Sequence, residues 1–182
     1  MSVNNKCIVS PVFGSVSKIT GDEKNKVNVI EIYIKSSQDH TIYSPISGRI
    51  TRNVLEEGCF ERKQFSKLLK HTQKSTWSIS NVSQGIHVDL FVEFGIPNSM
   101  YSKDSIKLDK SQNDFVSQGT ILGKIFSGST CVIKIPMKMI LNVDYSHDFD
   151  IGTELEGKKT IIASQPIDIT TRKNWYHQIE CK

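Results

Sequence analysis

The sequence predicts a mostly-β protein, a two-sheet sandwich or flattened barrel with glycine corners and one or two short helices. Two observations lead to this fold class. Runs rich in valine, isoleucine, threonine and aromatic residues recur along the chain, several with the period-two alternation that is typical of strands. A frame of the form Ile-x-Ser-Pro-apolar-x-Gly-x-apolar also occurs twice, at residues 8–16 and 42–50. Because proline fixes φ and glycine accepts positive φ, each copy should form a strand, a tight turn and a second strand.

The predicted strands follow one another along most of the chain. In order, they are "KCIVSPV", "KVNVIEIYI", "GRITRNV", "TWSISNV", "IHVDLFVEFGI", "TCVIKIP" and "KKTIIAS". Residues 59–71 instead space apolar side chains by three and four, which favours a short amphipathic helix or an irregular crossover. Residues 95–115 are typical of a loop, and residues 170–182 of a tail or a terminal helix. Two more turns, in 116–125 and 150–161, repeat glycines at similar spacing.

Length and composition indicate one domain spanning residues 1–182, with an ordinary hydrophobic core. The net charge of +4, from 23 basic and 19 acidic residues, is too small to indicate nucleic acid as a partner. No apolar stretch is long enough to cross a bilayer, and the first residues lack a signal-peptide pattern. We therefore expect a cytoplasmic protein that would meet lipid only peripherally. The four cysteines and five histidines have no metal-ligand spacing, so no metal is expected.

A Gly-Ser-Thr segment, Gly128 to Thr130, directly precedes one predicted strand. A serine hydroxyl can attack the preceding carbonyl in an N→O acyl shift, and glycine leaves that carbonyl unobstructed. Elimination of the resulting ester, followed by hydrolysis, would leave a pyruvoyl group at position 129. Three small residues alone are more often an ordinary turn, so this chemistry depends on the surrounding motifs.

The order of the motifs resembles that of the phosphatidylserine decarboxylase family, which matures by this chemistry. "IVSPVFGSVSKI" resembles the family's Ser-Pro-Val-Asp-Gly segment, and "IEIYIKSSQDHTIYSPISGRIT" its Asp-x-His turn and Pro-x-x-Gly corner. "FVSQGTILGKIFSGSTCVIKIP" resembles its Gly-Ser-Thr segment, and "DIGTELEGKKTIIA" its closing glycine motif. The pieces fall in one order from residue 8 to residue 164.

The resemblance implies that the chain cleaves itself after Gly128 and that Ser129 becomes the pyruvoyl cofactor. His40 would match the family's catalytic histidine, a residue type that moves protons near neutral pH. The substrate would be phosphatidylserine at a membrane surface, decarboxylated to phosphatidylethanolamine. The sequence does not predict an oligomeric state.

One departure from the family pattern concerns the self-cleavage. Phe13 occupies the position of the aspartate that is thought to orient the histidine, and a phenyl ring cannot do this. Asp39 and Asp22 are the nearby carboxylates that could substitute. The family's Asn-Glu-Arg segment is also missing, with "QKSTWSI" in its place. The alternative function is therefore an unprocessed, inactive relative that acts as a lipid-binding or interaction protein.

A second resemblance concerns Met137-Lys138-Met139, which is similar to the Met-Lys-Met turn of biotin carrier domains. In those domains the lysine closely follows a Gly-x-x-Leu corner. Here the Gly-Ser-Thr segment and a predicted strand intervene, and the chain is longer than a carrier module. We expect Lys138 to be an ordinary exposed residue between strands.

Overall fold

The computed structural model describes residues 7–56, 59–63, 66–71, 74–94, 106–125, 129–142 and 149–166. In chain order these residues form β1 (Cys7–Val9), β2 (Gly14–Asp22), β3 (Val27–Ile34), β4 (Thr41–Tyr43), β5 (Gly48–Glu56), β6 (Cys59–Lys63), β7 (Ser66–His71), β8 (Lys74–Asn81), β9 (Ile86–Phe94), β10 (Ile106–Leu108), β11 (Phe115–Val116), β12 (Ile121–Ile125), β13 (Ser129–Pro136), β14 (Ile140–Leu141), β15 (Glu154–Leu155) and β16 (Ile161–Ser164). These described ranges contain no helix, so the predicted short helices are not found there.

One large sheet dominates the described architecture. Its eight strands run in the order β11-β5-β8-β9-β13-β3-β2-β15, and it curls strongly into a half-barrel. Two three-stranded sheets, β1-β16-β14 and β10-β12-β4, and the hairpin β6-β7 complete the described strands. The prediction of a mostly-β sandwich or flattened barrel is confirmed.

Alternation along the central strands produces the core. In β3, Ile30, Ile32 and Ile34 are fully buried, whereas Tyr33 between them is half exposed. The same period in β9 and β13 buries Val88, Leu90, Val92, Cys131, Ile133 and Ile135. Burying one side chain of this size contributes about 1.5–3 kcal/mol, so these strands supply much of the driving force for folding.

The strand order repeats about the β9–β13 pair, as expected for a pseudo-two-fold axis. On one side the order is β9-β8-β5-β11, and on the other it is β13-β3-β2-β15. The sheets β4-β12-β10 and β1-β16-β14 correspond in the same way. β2 and β5 even carry a register shift at the equivalent place, after Val16 and Ile50. The two halves are interleaved in sequence, because one half begins with β1 to β3 and resumes at β13.

The repeated Ser-Pro frame forms two equivalent corners, one between β1 and β2 and one between β4 and β5, as predicted. In the first, the Ser10 hydroxyl donates to the Val12 carbonyl, and in the second the Ser44 hydroxyl donates to the Ile46 carbonyl. Both distances are 2.7 Å and both serines are fully buried. Each corner is thus stabilised by the same internal hydrogen bond.

Backbone hydrogen bonds also join the two corners to each other. The Tyr43 amide donates to the Pro11 carbonyl at 2.7 Å, and the Val9 amide donates to the Pro45 carbonyl at 3.1 Å. This exchange fixes the residues that follow β1 against those that precede β5. It brings Phe13, in the first corner, close to the β3–β4 segment.

Gly14 and Gly48 end the two corners, and their lack of a side chain is required by close backbone contacts. A Cβ on Gly14 would lie 2.5 Å from the Tyr33 carbonyl oxygen, and one on Gly48 would lie 2.5 Å from the Ser80 carbonyl oxygen. Real Cβ atoms do not approach backbone so closely. The glycine of the frame therefore permits each corner strand to pack onto its neighbour in the large sheet, β2 onto β3 and β5 onto β8.

The helix predicted within residues 59–71 is wrong for the described part of that segment. β6 and β7 pair antiparallel, with Phe60 opposite Leu69 and Glu61 opposite Leu68. A short helix with a narrow apolar face has marginal stability in water. Two strands separated by only two residues can instead pair their backbone groups with each other. A few apolar residues at mixed spacing did not distinguish the two.

The segment predicted as a loop, residues 95–115, contains a short strand. Ile106–Leu108 forms β10, which pairs with β12, and Phe115 begins β11. Residues 95–105 lie outside the described residues, as does the predicted tail or terminal helix at 170–182.

Candidate active site

Ser129 is the first residue of β13, in the middle of the large sheet. Its backbone lies opposite Ile34 at the end of β3 and opposite Phe94 at the end of β9. Gly128 lies outside the described residues, and only the backbone of Ser129 is described. The position thus has well-defined strand partners on both sides.

His40 lies in the connection between β3 and β4. Its carbonyl accepts a hydrogen bond from the Ile125 amide at 2.9 Å, which fixes the backbone against the end of β12. Its Nε2 atom is buried and has no hydrogen-bond partner among the residues that the structure describes. A buried ring nitrogen without a partner is costly, and such atoms occur at sites that bind or react with a ligand.

The chain connections limit how far apart His40 and Ser129 can lie. Ile125, which contacts the His40 backbone, precedes Ser129 by four residues, and Ile34, opposite Ser129, precedes His40 by six. Since a chain spans at most about 3.6 Å per residue, the Cα atoms of Ile125 and Ser129 are within roughly 14 Å. The fold is therefore compatible with a site that uses both residues.

Asp39 is held by its neighbours and does not orient the His40 ring. One carboxylate oxygen accepts from the Thr41 amide at 3.1 Å and the Thr41 hydroxyl at 2.8 Å, and the other accepts from the Tyr43 hydroxyl at 3.0 Å. Partial desolvation raises the pKa of Asp39, but the hydrogen bonds from Thr41 and Tyr43 outweigh it and hold the pKa below its ordinary value. The carboxylate therefore stays ionised at neutral pH.

Asp22, the other carboxylate that could replace the missing aspartate, lies too far away. It ends β2 and accepts hydrogen bonds from the amide and side chain of Asn25 in the β2–β3 turn. Ile34 is at the opposite end of β3, and eight strand residues span roughly 25 Å. Asp22 stabilises its own turn and takes no part in the candidate site.

Phe13 packs against the ring of Tyr43. The two ring centroids are 6.5 Å apart with an interplanar angle of 61°, an edge-to-face arrangement. A Cβ on Gly157 would lie 2.9 Å from the Phe13 ring, so this glycine leaves room for the aromatic pair. The Lys158 ammonium lies 5.3 Å from the Tyr43 centroid, within range of a cation–π interaction.

Tyr43 lies beside the candidate site, although no sequence motif indicated it. Its ring is buried; desolvation raises its pKa, and the hydrogen bond to Asp39 raises it further, so the phenol stays protonated and donates to that carboxylate. The one available signal was the repeated frame, in which Tyr43 corresponds to the smaller Val9. Phe13 is thus linked to Asp39, the neighbour of His40, through the ring of Tyr43.

The remaining predictions concern other parts of the molecule. Lys138, in the turn after β13, is exposed and donates to the Gly85 carbonyl at 2.6 Å. The described ranges contain no group of three or more side chains that could hold a metal ion. They also contain no helix long and apolar enough to span a bilayer.

Comparison with known proteins identifies the family. No curated protein matches the chain at a significant level. The family model for phosphatidylserine decarboxylase matches residues 3–157, most of the chain and all of the segment from the first Ser-Pro corner to Gly157. The chain belongs to the phosphatidylserine decarboxylase family.

Proposed function

We propose that the protein is a pyruvoyl-dependent phosphatidylserine decarboxylase that processes itself between Gly128 and Ser129. One observation carries the proposal: His40 Nε2 is buried without a hydrogen-bond partner among the described residues, and the His40 backbone is bonded to Ile125, four residues before Ser129. Family membership supports decarboxylation as the general activity. The histidine and the serine are the residue types that the reaction requires.

The self-processing step uses residues of the chain alone. The Ser129 hydroxyl attacks the Gly128 carbonyl carbon, a C–O bond forms, and the peptide C–N bond breaks as the nitrogen takes up a proton. Loss of the Ser129 α-proton then expels Gly128 as a carboxylate and leaves dehydroalanine. Water converts dehydroalanine to a pyruvoyl group and releases ammonia.

The fit of a pyruvoyl group to this site is supported by His40, whose ring nitrogen has no competing partner within the described ranges. The group would supply a carbonyl that withdraws electrons from the substrate amine as carbon dioxide leaves. His40 would hold a proton at Nε2 and deliver it to the substrate carbon. Burial of that atom limits exchange of the proton with bulk water.

The second candidate function is an unprocessed relative that binds lipid or another protein. It is favoured by one observation, the packing of Phe13 against Tyr43 where the family carries a carboxylate. The aromatic pair fills that space and supplies no proton acceptor. In this case His40 would face a ligand without reacting with it.

Intact-mass spectrometry of the purified full chain separates the two functions. We expect two pieces after incubation, split between Gly128 and Ser129. Ser129→Ala should remain a single species, and Ser127→Ala, the matched control one residue before Gly128, should still be cleaved. A wild-type protein that stays at 20.6 kDa after long incubation would exclude self-processing and support the second function.

Vesicles then test the substrate. We expect the cleaved protein to form phosphatidylethanolamine in vesicles containing phosphatidylserine and to release no carbon dioxide from vesicles of phosphatidylcholine alone. His40→Gln, which keeps a polar side chain but cannot shuttle protons, should lower the turnover by about 100-fold or more. Full activity of His40→Gln would contradict the role proposed for the histidine.

A further inference from the structure

A group of serine, histidine and aspartate side chains lies on the outer face of the hairpin formed by β8 and β9. Ser80 is paired with His87 across the two strands, and Ser78 is paired with Asp89. Directly opposed residues of an antiparallel pair point to the same face, so the four side chains form one compact array. His87 and Phe94, opposite Ser129, are separated by seven residues of β9, or roughly 23 Å, so the array is distinct from the candidate active site.

The hydrogen bonds of the array run in one direction. Ser80 Oγ lies 2.6 Å from His87 Nδ1, and His87 Nε2 lies 3.1 Å from Asp89 Oδ1. A carboxylate only accepts hydrogen bonds, so in the neutral ring Nε2 carries the hydrogen. Nδ1 is then left as the acceptor for the Ser80 hydroxyl. The order is that of an activated nucleophile: serine, base, and a carboxylate that orients the base.

Asp89 is itself fixed in place. The Ser78 hydroxyl donates to the same carboxylate oxygen at 2.6 Å, and Ser78 is buried. The His87 side chain is half exposed, at 52%, and the Asp89 side chain is 30% exposed. The carboxylate end of the array is therefore held by the sheet, while the serine end can be reached from solvent.

The neighbouring strand places positive charge beside Ser80. Arg49 on β5 lies opposite Ser80, and Arg52 lies opposite Ser78. Both arginines are exposed, and neither forms a salt bridge with any residue that the structure describes. Phe115 on β11, opposite Arg49, is 72% exposed and adds an aromatic surface to the same row.

We propose that Ser80 is a nucleophilic serine that accepts the acyl group of an anionic carboxylic ester. The Ser80 oxygen forms a bond to the ester carbonyl carbon, and its proton passes to His87 Nδ1. The bond from that carbon to the alcohol oxygen breaks, and the departing alcohol takes the proton from His87, so that acyl-serine and a free alcohol result. Arg49 attracts the anionic ester and stabilises the charge that develops on the carbonyl oxygen. Asp89 is a positioning residue that holds the tautomer of His87.

The test uses the full-length Ser129→Ala protein, so that its outcome is independent of self-processing. Mono(4-nitrophenyl) succinate is the anionic probe, and 4-nitrophenyl butyrate is the neutral probe of similar size. We expect release of 4-nitrophenol together with a succinyl adduct on the peptide that contains Ser80, located by fragmentation mass spectrometry. The anionic probe should react faster than the neutral one.

Three variants distinguish an activated serine from a passive hydrogen-bond network. Ser80→Ala should abolish the adduct, and His87→Asn should slow its formation by about 100-fold. Arg49→Gln should remove the preference for the anionic probe. Ser83→Ala is the matched control, because Ser83 lies in the adjacent exposed turn and its hydroxyl donates to the Asn81 side chain, not to a histidine.

Three results would overturn the proposal. These are no adduct on Ser80, equal labelling of Ser80 and Ser83, or an unchanged rate in a His87→Asn protein. Circular dichroism spectra that match the parent protein establish that each variant is folded. The labelling of Ser80 against Ser83 in the parent protein tests the proposal without any substitution in the array.

Discussion

Tyr43 joins the two parts of the candidate site that are far apart in sequence. Its ring packs edge-on against Phe13, and its hydroxyl donates to Asp39, the residue next to His40. A substitution at position 13 therefore acts on the His40 segment through a single buried ring. The aromatic pair replaces the charged contact that the family resemblance leads one to expect there.

Phe13→Asp should accelerate cleavage between Gly128 and Ser129, because a carboxylate can accept a proton where a phenyl ring cannot. The rate is measured by an intact-mass time course. Phe13→Asn is the matched control, since it has the size of aspartate without the charge and should stay as slow as the wild type. Equal acceleration by both variants would attribute the change to loss of the ring.

Asp39 gives the protein a pH-dependent contribution to stability. Its pKa is lowered in the folded state, so the contribution is present above the unfolded pKa of about 3.9 and is lost as the pH falls through the folded pKa. We expect Asp39→Asn to lower the free energy of unfolding at about pH 6 by less than about 1 kcal/mol, since the side chain is largely exposed. The difference from wild type should disappear on approaching about pH 2.

Urea unfolding at several pH values measures this effect. Glu23→Gln is the control, because Glu23 lies in the exposed β2–β3 turn and its side chain makes no hydrogen bond within the described ranges. A constant difference between Asp39→Asn and wild type from pH 6 to pH 2 would show that the carboxylate charge is not responsible.

At the scale of elements, the two Ser-Pro corners are the joints of the fold. Each connects a strand of a small sheet to a strand of the large sheet. Each is stabilised by a buried serine hydroxyl that donates to a carbonyl two residues later. The corners also bond to one another through their backbones. Their equivalence means that the same substitution should have a similar cost in both.

Ser10→Ala and Ser44→Ala should each destabilise the protein by about 1–3 kcal/mol, because each leaves a carbonyl without its donor. Urea unfolding gives both values, and Ser83→Ala, in an exposed turn, should cost less than about 0.5 kcal/mol. A corner variant as stable as the wild type would show that the serine hydroxyl at that corner does not stabilise the protein.

Local patterns predicted the elements whose conformation depends on local chemistry. The alternation in β3 identified a strand with one buried face, and the repeated frame identified both corners. The segment 59–71 was misjudged because backbone pairing, which the spacing of a few apolar residues does not reveal, decides its conformation. The hydrogen bond from Tyr43 to Asp39 depends on the path of the connection between β3 and β4, which no sequence motif predicts.

The glycine pattern predicted turns in 116–125 and 150–161 but did not show which of their residues are structurally equivalent. Gly119 and Lys158 both have positive φ and both donate from their amides to a corner serine carbonyl, at 2.8 Å. They are structural counterparts, although one is a lysine. The similar glycine spacing in 116–125 and 150–161 did not reveal this equivalence, because a lysine rarely adopts this conformation.

At the scale of the whole molecule, the interleaved halves determine what a cut before Ser129 would do. β13 pairs with β3 on one side and β9 on the other, and both lie on the N-terminal side of the cut. β16 pairs with β1, and β15 pairs with β2. The C-terminal piece therefore contributes a central strand, β13, and an edge strand, β15, to the large sheet, and it contributes β14 and β16 to a small sheet with β1.

We expect the two pieces to stay together after cleavage and to separate only on unfolding. Removing β13 would expose Cys131, Ile133 and Ile135 together with their partners on β3 and β9. Exposure of this apolar surface to water would cost several kcal/mol of free energy. Size-exclusion chromatography of the cleaved protein should give one peak that denaturing electrophoresis resolves into two bands. The same result is expected when a protease site is introduced at residues 126–128 of the Ser129→Ala protein, which makes the test independent of self-processing. Two separate peaks under native conditions would show that pairing across β13 does not hold the halves together.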